Sequence, residues 1–421
     1  MLDHRETSYR AVLRNDTFRW LWLAILFSRI GGAIAQIAIP LLVYKLTGSS
    51  RLLGAIFVIE TIPQVLLAPI AGMLADRVDR RKMMLRTAYV RVVAVAIIPF
   101  SDNVWQIAAL AVVVAIAQSL SLPAELAALP ETVPAHQLVP ALSLTQVSTN
   151  AMRIIGPAVG ASLIGFVGTA PAFWTEAICF LLAIASLSRL RLSHVQPQAR
   201  ERGSIISSAR AEIADGLRVA WRTPIVRGVT AAECLWALIG AATTIAGLVY
   251  VKQTLDLGNR AELVYGLLAA SLSAGAVAGA LLASAVERRI GRPTLLAVGY
   301  LGPLLVIPVL VTPPVPVLLL CWFLFGLADA FAVIAMQAYL AESVDASMRG
   351  RVYATWHGVI TVSWLICYGT VGWITDQIGP SWTMAIAGII VGIGGPLALI
   401  ATGAMADVRQ LRPALVTEEG I

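Results

Sequence analysis

Runs of about 20 apolar residues, the length that crosses a bilayer's hydrocarbon core, recur along this chain and restrict its fold more than any other feature. Short breaks holding Gly, Pro or charge separate them. Twelve such spans are read, at 20–43, 52–74, 83–100, 104–122, 142–167 and 172–190, then 225–251, 263–286, 294–311, 317–338, 352–374 and 382–405. With 58% hydrophobic and 13% charged residues, a chain of 421 residues cannot give a soluble globule its charged shell. The expectation is an all-α membrane protein of twelve transmembrane helices.

Lys and Arg set the orientation, because short cytoplasmic loops retain them. Lys45, Arg51, Lys252 and Arg260 fall on one side and Arg29, Arg91 and Arg153 within spans, which leaves 24 of the 31 basic residues on the other side. Both termini are therefore expected in the cytoplasm, with the chain multi-pass in the cell (inner) membrane. The N-terminal stretch carries Arg5, Arg10, Arg14 and Arg19 without a small-residue cleavage site, so it is not read as a removed signal peptide.

The net charge of +7 follows from this loop bias. Basic residues spread over several loops without a binding motif give no reason to expect a nucleic-acid partner. Cys179, Cys234, Cys321 and Cys367 all lie in apolar spans, as small apolar residues do, and indicate no disulfide framework. His4, His136 and His194 fall in solvated segments, only His357 enters a span, and no metal-ligand spacing occurs, so no metal or cofactor is expected. Nucleophile elbows, P-loops and zinc signatures are absent, and the chain is not read as an enzyme.

An internal repeat organises the whole chain. LADRVDRRKMML at 74–85 aligns with AVERRIGRPTLL at 285–296, setting Asp76 on Glu287 and Arg77 on Arg288. LPETV at 129–133 aligns with LAESV at 340–344 at the same shift of 211 residues, setting Glu131 on Glu342. The reading is a duplicated six-helix unit with a site near the bilayer midplane between two halves. The expected domains are a bundle at 1–190, a linker at 191–222, a second bundle at 223–406 and a cytoplasmic tail at 407–421. Within the linker, Ile205, Ala209, Ile213, Leu217 and Ala220 recur at helical spacing opposite Arg210, Glu212, Asp215, Arg218 and Arg222, an amphipathic pattern that fits a tether on the membrane surface or a partner-binding segment.

GMLADRVDRRK at 72–82 is similar to the loop signature of the major facilitator superfamily, with Asp79 where the pattern has Gly, and the resemblance covers nearly the whole chain. The fifth span's GPAVGA at 156–161 resembles the motif of that superfamily's drug–proton antiporters, with Ala161 for the last Gly and Met152 for an earlier one. The opening FRWLWLAILFSRIGGAIAQIAIPLLVYKLTGSS and the stretch LPAELAALPETV look closest to its macrolide and siderophore (enterobactin-type) exporters. In that branch an acidic residue often stands where this chain has Gly32, and many antiporters carry a mid-helix Arg that the fourth span lacks.

The resemblance implies a gating motif of Gly72, Asp76, Arg77, Arg80 and Arg81. Asp76 would latch one state beside the N-terminus of the eleventh helix near Arg351; a carboxylate there gains about 0.3–1 kcal/mol from the helix dipole. Arg81 and Lys82 fit a topology signal better. Gly156, Pro157 and Gly160 serve either as the antiporter motif or as a close-packing surface.

Ionisable residues within spans cost at least about 2.5–3.5 kcal/mol at a helix centre and default to functional candidates. Arg29, Glu60, Arg91, Arg153 and Glu176 qualify in the first half, Glu233 and Asp329 in the second. The superfamily's arrangement would line the cavity with the first, fourth, seventh and tenth helices, bringing Arg29, Glu233 and Asp329 to it and leaving Arg91 and Glu176 to structural pairs. Asp329 lies roughly 18 Å and Glu233 roughly 12 Å along their spans, near mid-bilayer. Asp329, Glu233 and Glu60 are the proton-coupling candidates, the alternative being permanent ion pairs. Arg29, Arg153, Gln36, Gln118, Trp236, Trp356, Trp364 and His357 are the cavity or substrate candidates. An aromatic wall with an acidic pair accepts an amphipathic or cationic molecule; the tryptophans equally fit a lipid-facing role.

The favoured function is a monomeric, proton-coupled exporter of an amphipathic small molecule. A facilitator or importer of a metabolite and a non-transporting receptor or scaffold are the alternatives.

Overall fold

The computed structural model describes residues 9–192, 221, 223–343 and 349–403. No β-strand occurs among them. The long helices are α1 (Asp16–Thr47), α2 (Ser50–Arg77), α3 (Arg80–Ile97), α4 (Val104–Ala128), α5 (Leu138–Val167), α6 (Thr169–Arg189), α7 (Pro224–Val249), α8 (Ala261–Ile290), α9 (Arg292–Leu301), α10 (Val315–Ser343), α11 (Arg349–Ile378) and α12 (Pro380–Ala401). Eleven helical stretches among the described residues are long and apolar enough to cross a membrane, counting α9 with the turns that continue it to Val311. The 30-residue α5 stands where the fifth span was expected. Helices are the form lipid demands, since a hydrocarbon core offers no water to backbone N–H and C=O groups.

Polar residues punctuate the helix ends. Asn15 accepts from the backbone N–H groups of Thr17 and Phe18 to start α1, and Asn103 accepts from that of Trp105 to start α4. Gly48, at φ 61°, closes α1 in the left-handed conformation that glycine adopts without strain.

Contacts gather the chain into two compact units, 1–48 with 56–201 and 49–55 with 202–421. In the first, small residues bring helices together: a Cβ at Gly160 of α5 would lie 3.0 Å from the Ile34 Cα of α1, and one at Gly156 would collide with Ala33. Close packing through small residues is how membrane helices associate without a hydrophobic driving force. In the second unit Gly275 and Gly279 of α8 and Gly326 of α10 leave no room for a side chain between those two helices.

Two elements depart from the sequence expectation. The fourth span does not stop at 122: α4 runs through Pro123 to Ala128 and carries Glu125 with it. Pro123 removes one backbone N–H, which a membrane helix tolerates when neighbouring groups satisfy the freed carbonyl. The ninth span, expected as one helix, changes winding at its middle; α9 ends at Leu301 and Gly302–Val311 continues as a 3₁₀-helix. Pro303 and Pro308 each lack the N–H an α-helix would use.

The expected linker helix and the tail from 407 lie outside the described residues, as do the side chains of Asp76, Arg77, Arg153, Pro157 and Arg351 and the surroundings of Gly72.

Candidate functional site

Glu233 sits in the third turn of α7, and its Oε1 accepts a hydrogen bond of 2.9 Å from the hydroxyl of Tyr300, near the end of α9. Tyr300 is wholly buried and interacts electrostatically with Asp329, at the middle of α10, as well as with Glu233. Trp236, one turn beyond Glu233, meets the Tyr300 ring edge-on at 5.6 Å between centroids and Phe325 at 5.8 Å. Four side chains from three helices thus combine two carboxyls, a phenol and an indole inside one unit. A carboxyl pair of this kind can take up and release a proton, and the indole offers an apolar face to a ligand.

The first unit holds a second polar network. Arg29 of α1 pairs with Glu125 of α4 at 2.9 Å, and Ser121 donates to the other carboxylate oxygen at 2.8 Å. Arg91 of α3 donates to Ser28 at 2.9 Å and lies 3.9 Å over the Phe180 ring of α6, at 5% exposure. A cavity of about 20 Å³ borders Ser28, Arg91, Ser121 and Glu125, enough for one water molecule.

Glu176, expected in a structural pair, is 1% exposed, and its Oε2 has no hydrogen-bond partner among the described residues. Its helix starts at Thr169, two turns away, but α1 packs over it, with Gly31 lying where a Cβ would come 3.4 Å from the Glu176 Cγ. Arg91 is within electrostatic range of both Glu176 and Glu125. Glu60 is half-buried, within electrostatic range of Glu176.

The loop after α2 works without glycine. Asp79, which stands at the pattern's Gly position, keeps φ at −53° and caps α3 by accepting from the Lys82 backbone N–H at 3.0 Å. Arg80 pairs with Glu131 and donates to the Ala127 carbonyl at 3.0 Å. Arg81 donates to the carbonyls of Leu187 and Ser188, at the end of α6, so it joins two helices in addition to any topological role. In the repeat, Arg292 bonds both Glu287 and Glu342, at 2.6 and 2.7 Å. Glu131 and Glu342, matched by the sequence shift, therefore each hold an arginine, although the arginines differ in register by one residue: Arg292 aligns with Arg81, and Arg80 aligns with Gly291.

The remaining candidates scatter. Gln36 and His357 are exposed, and the His357 ring lies 6.0 Å from Trp356. Gln118 is half-buried on α4. Trp356 packs against the apolar cluster that contains Tyr300. Trp364 lies against Gly240 of α7, where a Cβ would collide with the indole.

Sequence reasoning missed Glu125 and Tyr300. The first was excluded by ending a span at a proline. The second carries no local signal, because its partner stands 67 residues away on another helix.

Long apolar helices, built twice and carrying half-buried carboxyls within their spans, define a polytopic membrane transporter. The profile of the transmembrane secretion effector family matches residues 7–415, and the chain belongs to that family of the major facilitator superfamily. Curated relatives include the multidrug efflux pump Tap of Mycolicibacterium fortuitum, 26% identical over 94% of this chain and 91% of that protein. The enterobactin exporter EntS of Salmonella typhimurium is 24% identical over 95% of both. Among solved structures, a variant of the nucleoside transporter NupG superposes with a TM-score of 0.72 at 12% identity, covering 93% of this chain and 100% of that one. A POT family transporter in complex with 5-aminolevulinic acid gives 0.70 at 11%, covering 92% and 96%. The transporter fold, the family and the named relatives, all of them transporters, agree with the sequence reading.

Proposed function

We propose that this protein is a proton-driven exporter of amphipathic small molecules, working by alternating access in the inner membrane with both termini cytoplasmic. The observation that carries this reading is the Tyr300–Glu233 hydrogen bond with Asp329 in electrostatic range, which gathers two ionisable carboxyls at mid-span. Asp329 stands where the first half has the neutral Gln118, so the shared scaffold does not require a carboxyl there. Trp236 supports an amphipathic or cationic substrate through apolar burial and cation–π attraction. Tap is a multidrug efflux pump and EntS an enterobactin exporter, which supports the outward direction. The solved neighbours share the fold alone.

Vesicle flux tests this reading. Purified protein in liposomes, given a lipophilic cationic dye or enterobactin and an imposed pH gradient, is expected to move at least one of them against its concentration gradient. Asp329→Asn is expected to lose gradient-driven efflux by about tenfold or more, the weight of one charge-assisted interaction, while keeping substrate exchange without a gradient. Unchanged gradient dependence in both Asp329→Asn and Glu233→Gln would remove proton carriage by this pair and favour a facilitator.

A further inference from the structure

We propose that Tyr300 is a positioning residue that ties the proton occupancy of Glu233 to the change of helix type in the ninth span. The inference rests on the reading that the Glu233 and Asp329 pair carries the coupling proton.

Three observations meet at this side chain. Its hydroxyl, sealed from water at 0% exposure, donates to the Glu233 carboxyl. Its ring is held on two sides, by Trp236 edge-on and by α12, where a Cβ on Gly395 would lie 3.1–3.2 Å from Tyr300 carbons. Two residues on, at Gly302, the α-helix gives way to a 3₁₀ stretch of ten residues. Runs of 3₁₀ helix beyond three or four residues are uncommon, and a mid-helix stretch often marks a hinge or strain.

The backbone on both sides of the change is fitted tightly to its neighbours. A Cβ on Gly299 would lie 2.5 Å from the Ala332 nitrogen of α10, and one on Gly302 would lie 2.6 Å from the Ala328 Cβ. Further along, Pro303 and Leu304 seat against Gly388 and Gly392 of α12, each at 2.6 Å from the built Cβ. Such packing has discrete arrangements and does not deform smoothly. A phenol that cannot swing alone must pass a change in its hydroxyl's partner to the backbone that carries it.

Glu233 supplies that change. As a carboxylate it receives a charge-assisted hydrogen bond, roughly twice as strong as a neutral one. When Glu233 takes a proton, the bond becomes neutral, and where Oε1 holds the proton the phenol must turn from donor to acceptor. Of the groups facing this point, α10 brings Asp329, α12 carries no ionisable residue, and α11 brings Trp356 with the exposed His357 beside it. Cys234 adjoins Glu233 on α7 itself. Gain or loss of a proton at Glu233 therefore alters the hold on Tyr300 directly, and Asp329 acts on the same hydroxyl through its charge.

The test uses the full chain in liposomes. Tyr300→Phe keeps the ring and removes only the hydroxyl. It is expected to lower gradient-driven efflux about tenfold more than it lowers exchange without a gradient, the effect of one hydrogen bond to a charged group, and to change the pH profile of efflux. A wild-type pH profile in Tyr300→Phe, with Asp329→Asn and Glu233→Gln still uncoupled, overturns the role of Tyr300 and leaves the proposed function standing. Wild-type coupling in the two acid variants instead overturns the proposed function and this inference with it. Hydrogen–deuterium exchange of the 302–311 amides gives a second measurement independent of flux. Faster exchange in Glu233→Gln, whose amide mimics the protonated acid, supports the tie even where Tyr300→Phe does not insert, and wild-type exchange there overturns it.

Discussion

Glu125 and Tyr300 meet the same demand in different halves of the sequence, since each is a polar group closed off from water that must find its partner on another helix. For Glu125 the partners are Arg29 and Ser121, and together they use both carboxylate oxygens. Removing the acid leaves the Arg29 guanidinium, already mostly buried, without its counter-charge. Glu125→Leu is accordingly expected to destabilise the protein by about 1–3 kcal/mol, read as a lower unfolding temperature in detergent. Arg29→Met added to it should recover part of that loss, because an apolar pair of similar volume carries no buried charge. A single variant that melts with wild type would show that the pair contributes nothing. Neither Glu125 nor Tyr300 was legible in the sequence as a site. A residue's type and its place along a span can be read, but the helix it will face is fixed only by packing.

Among the elements, the contact of α5 with α1 separates two uses of glycine. Gly156 and Gly160 have the α1 backbone or its Ala33 side chain where a Cβ would go, whereas nothing lies within 4 Å of a Cβ at Gly32, one residue along α1 from Ala33. Gly160→Leu is therefore expected to part the helices and cost about 1–3 kcal/mol, seen as lost thermal stability and lower yield in the membrane. Gly32→Ala should be silent or raise stability by about 0.4–1 kcal/mol through reduced freedom of the unfolded chain. Equal behaviour of the two variants would overturn the packing account. The glycine spacing on α5 was legible from the sequence, and the structure adds which surface it meets. The 3₁₀ stretch of the ninth span was not, because 302–311 is apolar on every face and gives no periodicity to set one winding against another.

At the scale of the whole molecule, the glutamates matched by the repeat shift of 211 residues do the same work: Glu131 and Glu342 each hold an arginine at the close of the fourth helix of their half, the arginine itself being one residue out of register, Arg80 in the first half and Arg292, the counterpart of Arg81, in the second. The loops were the readable part because charged residues there are few and fixed by their partners, while the apolar spans between them interchange Leu, Ile, Val and Ala freely. The same charge asymmetry underlies the proposed topology. Reporter fusions at residue 1, within 191–222 and after residue 421 are each expected to read as cytoplasmic, and a periplasmic reading at any of the three would break the proposed topology. The mixed winding of the ninth span bears on how the molecule sits in lipid. Ten residues rise about 20 Å as a 3₁₀-helix and about 15 Å as an α-helix, so this span reaches about 5 Å further than its residue count alone would carry it. A thick hydrocarbon layer favours the longer winding and a thin one the shorter. Bilayer thickness therefore acts as a load on the helix that carries Tyr300, and lipid composition becomes a variable of the transport cycle.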